Sequence, residues 1–131
     1  LITQELLKTL LEYDPSNGLF TWIVDKGTIK SGNIAGCKRP NGYITIKINQ
    51  RCYLAHRLIW LYVYGYFSKS QIDHINCMRS DNRLSNLREA TSTENNINQY
   101  KKKSNTSGYK GVCWVKDENN WLSQIRVNGK K

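Results

Sequence analysis

Acid is scarce in this chain of 131 residues: 10 Asp and Glu stand against 20 Lys and Arg, for a formal net charge of +10. A small chain with that imbalance meets a polyanion more readily than an acidic or neutral partner. Membrane attachment has no support. No apolar run approaches the ~18 residues that a span requires, no secretory signal pattern opens the chain, and there is no long basic amphipathic helix to lie on a lipid surface. Four cysteines occur, at Cys37, Cys52, Cys77 and Cys113, and none forms a C-x-x-C pair. That spacing fits neither a zinc finger nor a disulfide framework and reads as reduced thiols in a cytosolic protein. Leu1 in place of Met reads as a trimmed start. Hydrophobic residues make up 39%, so the core should be modest and the chain one domain with, at most, a small appendage.

The residues that are present suggest a mixed α+β chain. Thr3 can cap a helix over Gln4–Tyr13, with Leu6, Leu7, Leu10 and Leu11 on one face. Asp14-Pro15-Ser16-Asn17-Gly18 is a turn, because Pro presets one φ and Asn-Gly accepts φ > 0. A strand follows over Leu19–Val24, then a polar loop over Lys26–Lys38. Asn41-Gly42 signals a hairpin, Tyr43–Ile48 alternates as a strand with Ile44, Ile46 and Ile48 on one side, and Arg51–Leu54 can return as another. Ala55–Tyr64 reads as a buried helix stopped by Gly65. Residues 99–106 are basic and polar, as a linker would be, and Val112–Val115 with Trp121–Val127 read as two strands around a turn at Asp117–Asn120. Two strands alone are marginal in water, so this element must pack, bind, or continue past Lys131.

Chemistry concentrates in residues 72–96, IDHINCMRSDNRLSNLREATSTENN, which hold one of only two histidines. Ile72–Ile75 suits a strand end, Asn76–Asn86 a loop, Leu87–Ala90 a second strand, and Thr91-x-x-Glu94 a capping box that starts a helix near Ser92. A strand, loop, strand and helix this short fold back on themselves, so Asp73, His74 and Asn95 can converge. An Asp carboxylate and an Asn amide oxygen suit Mg²⁺ or Mn²⁺, and a neutral imidazole beside them can take a proton from water. The alternatives are a structural His74, an Asn86 that only caps a turn, and Asn96 or Asn98 in the place given to Asn95. Cys77 and Met78 read as incidental, since a soft thiolate does not belong among oxygen ligands. His56, on the helix AHRLIW, reads as packing or hydrogen bonding near this site.

Asp73-His74, Asn86-Leu87 and Asn95, with AHRLIW and DNRLSNLR around them, resemble the HNH (ββα-metal) nucleases, in their phage and intron-encoded homing-endonuclease branch. The resemblance covers most of residues 14–100. It implies that Asp73 and Asn95 hold one divalent metal, Mg²⁺ or else Mn²⁺, with no other small-molecule cofactor. His74 would be the general base against the scissile phosphate, and Asn86 would pin the loop that aims it. The partner would be double-stranded DNA, hydrolysed to 5′-phosphate and 3′-hydroxyl ends by a nick or a double-strand cut, in a bacterial host's cytoplasm. Residues 107–131 resemble the opening strands of an AP2-type DNA-binding domain that lacks its third strand and helix.

These readings assign 1–100 to a nuclease domain with an N-terminal helix and hairpins and a ββα-metal core at 71–100. Residues 101–106 become a basic linker and 107–131 partial AP2-like strands. Candidate DNA contacts are Arg39, Lys47 and Arg51 at the hairpin, Arg83 and Arg88 near the site, Lys101 and Lys102 in the linker, and Lys110, Trp114 and Arg126 in the tail. Lys or Arg on phosphate positions a duplex without reading its sequence. Trp114 and Trp121 serve equally well as packing residues. A non-catalytic DNA-binding regulator on the same scaffold, or an RNA-binding protein, are the competing functions. A monomer is compatible with all of this.

Overall fold

The structure is a computed structural model that describes residues 2–101 and 103–124. It forms two compact units, divided between Asn98 and Gln99.

In the larger unit, Thr3 caps α1 (Gln4–Leu10), its hydroxyl accepting from Leu6 N at 3.2 Å. The expected continuation to Tyr13 does not form. Leu11–Asp14 is β1, whose residues alternate buried and exposed. Helical spacing would have split Leu11 and Tyr13 between faces, whereas a period of two buries both. Strand β1 pairs antiparallel with β2 (Leu19–Trp22), and β2 with β3 (Ile34–Ala35). With β4 (Cys37–Lys38), β3 lies inside the stretch expected to be loop. Strand pairing there supplied what local periodicity could not show.

A second sheet joins β4, β5 (Ile44–Ile48) and β6 (Arg51–Leu54). Helix α2 (Ala55–Tyr64) follows directly and ends at Gly65, which is left-handed at φ 81° with its N–H on Leu61 O. The core gathers Leu7, Leu11, Phe20, Ile46, Ile48, Leu58 and Ile59, all at most 2% exposed. Each such side chain contributes ~1.5–3 kcal/mol by leaving water. Tyr13, Phe20 and Tyr62 extend it as an edge-packed aromatic trio with centroids 5.3–6.1 Å apart.

The last part of this unit is an antiparallel pair, β7 (Gln71–His74) and β8 (Leu87–Ala90), bridged by a long loop that ends in a 3-10 turn, Leu84–Asn86. Helix α3 (Ser92–Asn98) follows behind the expected capping box: Thr91 N donates to Glu94 Oε2 at 2.7 Å and Glu94 N to Thr91 Oγ1 at 3.2 Å.

The 14–18 turn holds this loop in place. Asp14 Oδ1 accepts from Ser16 N at 2.9 Å, and Gly18 N donates to Asp14 O at 2.9 Å. Gly18 has φ +76°, and a Cβ added there would lie 2.4 Å from Arg83 N and 2.5 Å from Asn82 C. The Gly18→Ala variant should therefore lose more than the ~1–2 kcal/mol of left-handed backbone alone. Gly27→Ala is the control, because Gly27 has φ +61° and nothing within 4 Å of its added Cβ. Urea unfolding of the two variants should show a clearly larger loss for Gly18→Ala. Equal losses would refute the close packing.

In the smaller unit, β9 (Val112–Val115) pairs antiparallel with β10 (Asn120–Ser123). Trp114 and Trp121 are directly opposed, with centroids 5.1 Å apart at 69° and both residues exposed, at 41% and 50%. The expected strand ran to Val127, beyond the described residues.

Candidate active site

Strand β7 sends its side chains alternately to two faces. Gln71 and Asp73 face α3, and Ile72 and His74 face the body of the unit. Asp73 is 6% exposed. Its Oδ2 accepts from Arg88 Nε and Nη2, at 3.2 and 3.0 Å, and from Asn98 Nδ2 at 2.9 Å. The same Asn98 nitrogen donates to His74 O at 2.9 Å. Asn95 lies one turn earlier on α3 and donates to Gln71 Oε1. The structure thus sets Asn98, not Asn95, against Asp73. Three residues of helix separate the two by about 4.5 Å of rise, a spacing that sequence separation alone could not resolve.

His74 is 4% exposed. Its Nε2 lies 2.9 Å from Asn82 Oδ1, and its ring packs edge to face against His56 at 5.0 Å and beside Tyr43 at 6.0 Å. Arg79 lies over the Tyr43 ring, 4.9 Å from its centroid, and donates to Asn41 O at 3.0 Å. Burial, then the neighbouring His74 and Arg57, push the His56 imidazole down to about 3, so it is neutral around pH 7. Its Nδ1 is a buried nitrogen without a hydrogen-bond partner, a state that a neutral ring tolerates better than a charged one.

Asn86 bridges the 75–86 loop from one end to the other. Its Nδ2 donates to Asn76 Oδ1 at 3.0 Å and Asp81 O at 2.7 Å, while its Oδ1 accepts from Asn76 N at 3.0 Å. Asn86 O also accepts from Ile75 N at 2.9 Å. Inside the loop, Asp81 takes both Arg83 Nε at 2.8 Å and Arg83 Nη2 at 2.6 Å, with Asn76 Nδ2 at 2.7 Å. The Arg83 guanidinium holds the Asp81 carboxyl down to about 2. Cys77, read from the sequence as incidental, has φ 60° and donates its thiol to Asn98 O, tying the loop to the end of α3.

Both site arginines expected to contact DNA are thus already engaged within the protein, Arg83 by Asp81 and Arg88 by Asp73, though each side chain stays nearly half exposed. Arg39 and Lys47 share one face of the second sheet, where Arg39 Nε donates to Thr45 Oγ1 at 2.9 Å. Arg51 pairs across from Ile48 and so lies on the opposite face, beside Ile2 and Leu6; the three do not form one cluster. In the smaller unit Lys101 Nζ donates to Gly108 O at 3.0 Å, and Lys110 and Trp114 are exposed. Lys102 and Arg126 lie outside the described residues.

The side chains around Asp73 fit a hard divalent ion by donor type: a carboxylate and asparagine amides. Among the described residues, no three His, Cys, Asp or Glu side chains converge on one point. Mg²⁺ takes one or two carboxylates and keeps several waters, so a sparse set suits it. Two donors oppose a cation there, because the Arg88 guanidinium and the Asn98 amide nitrogen both already occupy Oδ2.

Asn82 and Asn98 are the contacts that sequence reasoning underweighted. Asn82 is one polar residue in a run of them, and nothing local marks it. Its 1% exposure is the mark, and only the fold supplies that.

Comparison with known proteins bears on the same segment. Residues 53–97, from β6 into α3, match the family model described as HNH endonuclease. Protein 3.8 of Escherichia phage T7 is 38% identical over 77 residues, covering 58% of this chain and 64% of that protein. The chain spans just under two thirds of that relative's length. A solved structure described as DNA binding and cleavage by the HNH homing endonuclease I-HmuI aligns with a TM-score of 0.51 at 23% identity, over 68% of this chain and 51% of that one. The fold of this chain is similar to that of an HNH homing endonuclease, and the matched HNH segment contains Asp73, His74, Asn86 and Asn95.

Proposed function

We propose that this protein is a metal-dependent DNA endonuclease that hydrolyses phosphodiester bonds in double-stranded DNA. The observation that carries the reading is the pairing, at the end of β7, of a carboxylate facing the asparagines of α3 with a histidine anchored on a buried amide. In this reading His74 takes a proton from the attacking water. Asn86 keeps the loop closed, so that the Asn82 anchor stays under the ring. A divalent ion held by Asp73 and an α3 asparagine, Asn95 or Asn98, would supply charge stabilisation for the phosphate and the leaving 3′ oxygen. Arg88 and the Asn98 amide nitrogen would then have to leave Oδ2, and Arg88 would be free to meet a phosphate, giving it a contact with DNA after all. Arg39 and Lys47, on the outer face of the second sheet, are further phosphate contacts, as are Arg51, Arg83, Lys101, Lys102 and Lys110. Trp114 and Arg126 belong to the AP2-like reading of the tail. The domain division of 1–100, 101–106 and 107–131 completes the proposal, with action in a bacterial cytoplasm.

Two features favour a second reading, a DNA-binding regulator that does not cut. In the free chain Asp73 is paired with Arg88 and His74 is almost wholly buried. Supercoiled plasmid separates the two. The nuclease reading expects nicked or linear product with Mg²⁺ or Mn²⁺ and none with EDTA. Duplex binding without cleavage in any divalent metal would establish the regulator instead.

A further inference from the structure

We propose that Asn82 is a positioning residue that fixes the tautomer and orientation of His74. Its consequence for cleavage rests on the nuclease reading above, but the tautomer itself does not. His74 Nε2 and Asn82 Oδ1 are 2.9 Å apart, with the two residues 4% and 1% exposed. An amide oxygen can only accept, so Nε2 carries the proton and Nδ1 keeps the lone pair. A base that takes a proton from water needs that lone pair; the opposite tautomer would present a donor to the water and be inert.

The backbone of the anchor is held from several directions, while its side-chain Nδ2 is buried with no hydrogen-bond partner, so Oδ1 carries the one side-chain hydrogen bond of Asn82. The Tyr13 hydroxyl donates to Asn82 O at 2.9 Å across a separation of 69 residues. Burial pushes the Tyr13 phenol up to about 12, which keeps that donor protonated. The Gly18 turn sits directly against the backbone of Asn82 and Arg83. On the other side Asn86 Nδ2 holds Asp81 O. His56 and Tyr43 flank the His74 ring, so it cannot turn without displacing them. The N-terminal hairpin, remote in sequence from the HNH segment, is therefore part of what aims the base. That gives β1 and its turn a role in the chemistry beyond covering the core.

The test is the long-range ¹H–¹⁵N spectrum of the metal-free, DNA-free full chain at neutral pH, which distinguishes Nε2–H from Nδ1–H imidazoles. We expect His74 as Nε2–H in the wild type. We expect the same in Asn82→Asp, which keeps an acceptor oxygen, and a mixture of tautomers in Asn82→Ala. On plasmid, Asn82→Ala should lower kcat about 10- to 100-fold with KM for DNA unchanged. A purely structural role would instead lower the folded fraction and leave the folded molecules' tautomer intact. A wild-type His74 that is Nδ1–H overturns the proposal by itself, even if the alanine variant does not fold. So does an Asn82→Ala protein with unchanged tautomer and kcat. If the tautomer behaves as expected but no plasmid is cut under any metal, the nuclease reading fails and the positioning of His74 by Asn82 stands.

Discussion

Replacement of His74 by alanine is expected to lower plasmid cleavage by about two to four orders of magnitude while duplex binding persists. That is the range a positioned general base contributes. The His74 ring has its Nε2 hydrogen-bonded to Asn82, whereas its neighbour His56 is neutral, buried and has an unpartnered Nδ1. The variant also loses ring packing against His56 and Tyr43 and leaves the Asn82 oxygen unpaired, so its stability should fall as well. Circular dichroism at the assay temperature separates that loss from chemistry. Binding, read by gel shift, should change little, because the proposed phosphate contacts are cationic side chains elsewhere. A His74→Ala protein that is folded and cuts at the wild-type rate would remove His74 from the mechanism.

Acid should destabilise the larger unit through His56. In the unfolded chain His56 titrates near 6.5, and in the fold near about 3. Between those values the unfolded state binds a proton that the native state refuses, so stability rises with pH across the window and is lost as pH falls through it. At 1.36 kcal/mol per pH unit the loss reaches about 3 kcal/mol by pH 4, a large share of a typical ~5–15 kcal/mol. The charges acting on His56 come from His74 and Arg57, both of which oppose its protonation, and the Tyr43 ring packed 5.4 Å away brings no negative charge to relieve it at these pH values. Asp81, held down to about 2 by Arg83, stays ionised in the fold down to the bottom of this window, and its own loss begins as pH falls below the ordinary 3.8 of its carboxyl. Urea unfolding at pH 7 and pH 4 reads the slope, and His56→Phe should flatten it. A wild-type free energy that is level between those pH values would mean that His56 accepts its proton within the fold.

The turn at residues 14–18, the Asn41-Gly42 hairpin, the helix stopped at Gly65 and the capping box at Thr91 were all legible, because each is specified by residues within five positions of one another. The Asp73-His74 pair was legible as a motif for the same reason. Elsewhere the reading failed where distant contacts decide. Helix α1 stops at Leu10 because β2 offers Leu11 and Tyr13 a strand partner, and a helical periodicity over four leucines cannot reveal that partner. Arg83 and Arg88 remain candidate phosphate contacts, but in the fold each also meets a carboxylate: Asp81, two residues away in the loop, and Asp73, directly across the β7–β8 register. Lys47 and Arg51 are four residues apart, and the tight turn between β5 and β6 sends them to opposite faces.

By itself, then, the sequence determined the basic charge, the local turns and caps, and the residue types on offer around His74. Those follow from side-chain chemistry and short-range backbone preference. Only the tertiary structure decided which asparagine meets which group: Asn98 on Asp73, Asn95 on Gln71, Asn86 across the loop and Asn82 on His74. Asparagines are chemically identical, so no local rule can rank them. Burial and the closure of a loop against the hairpin of residues 11–22 separate them, and both are properties of the packed chain.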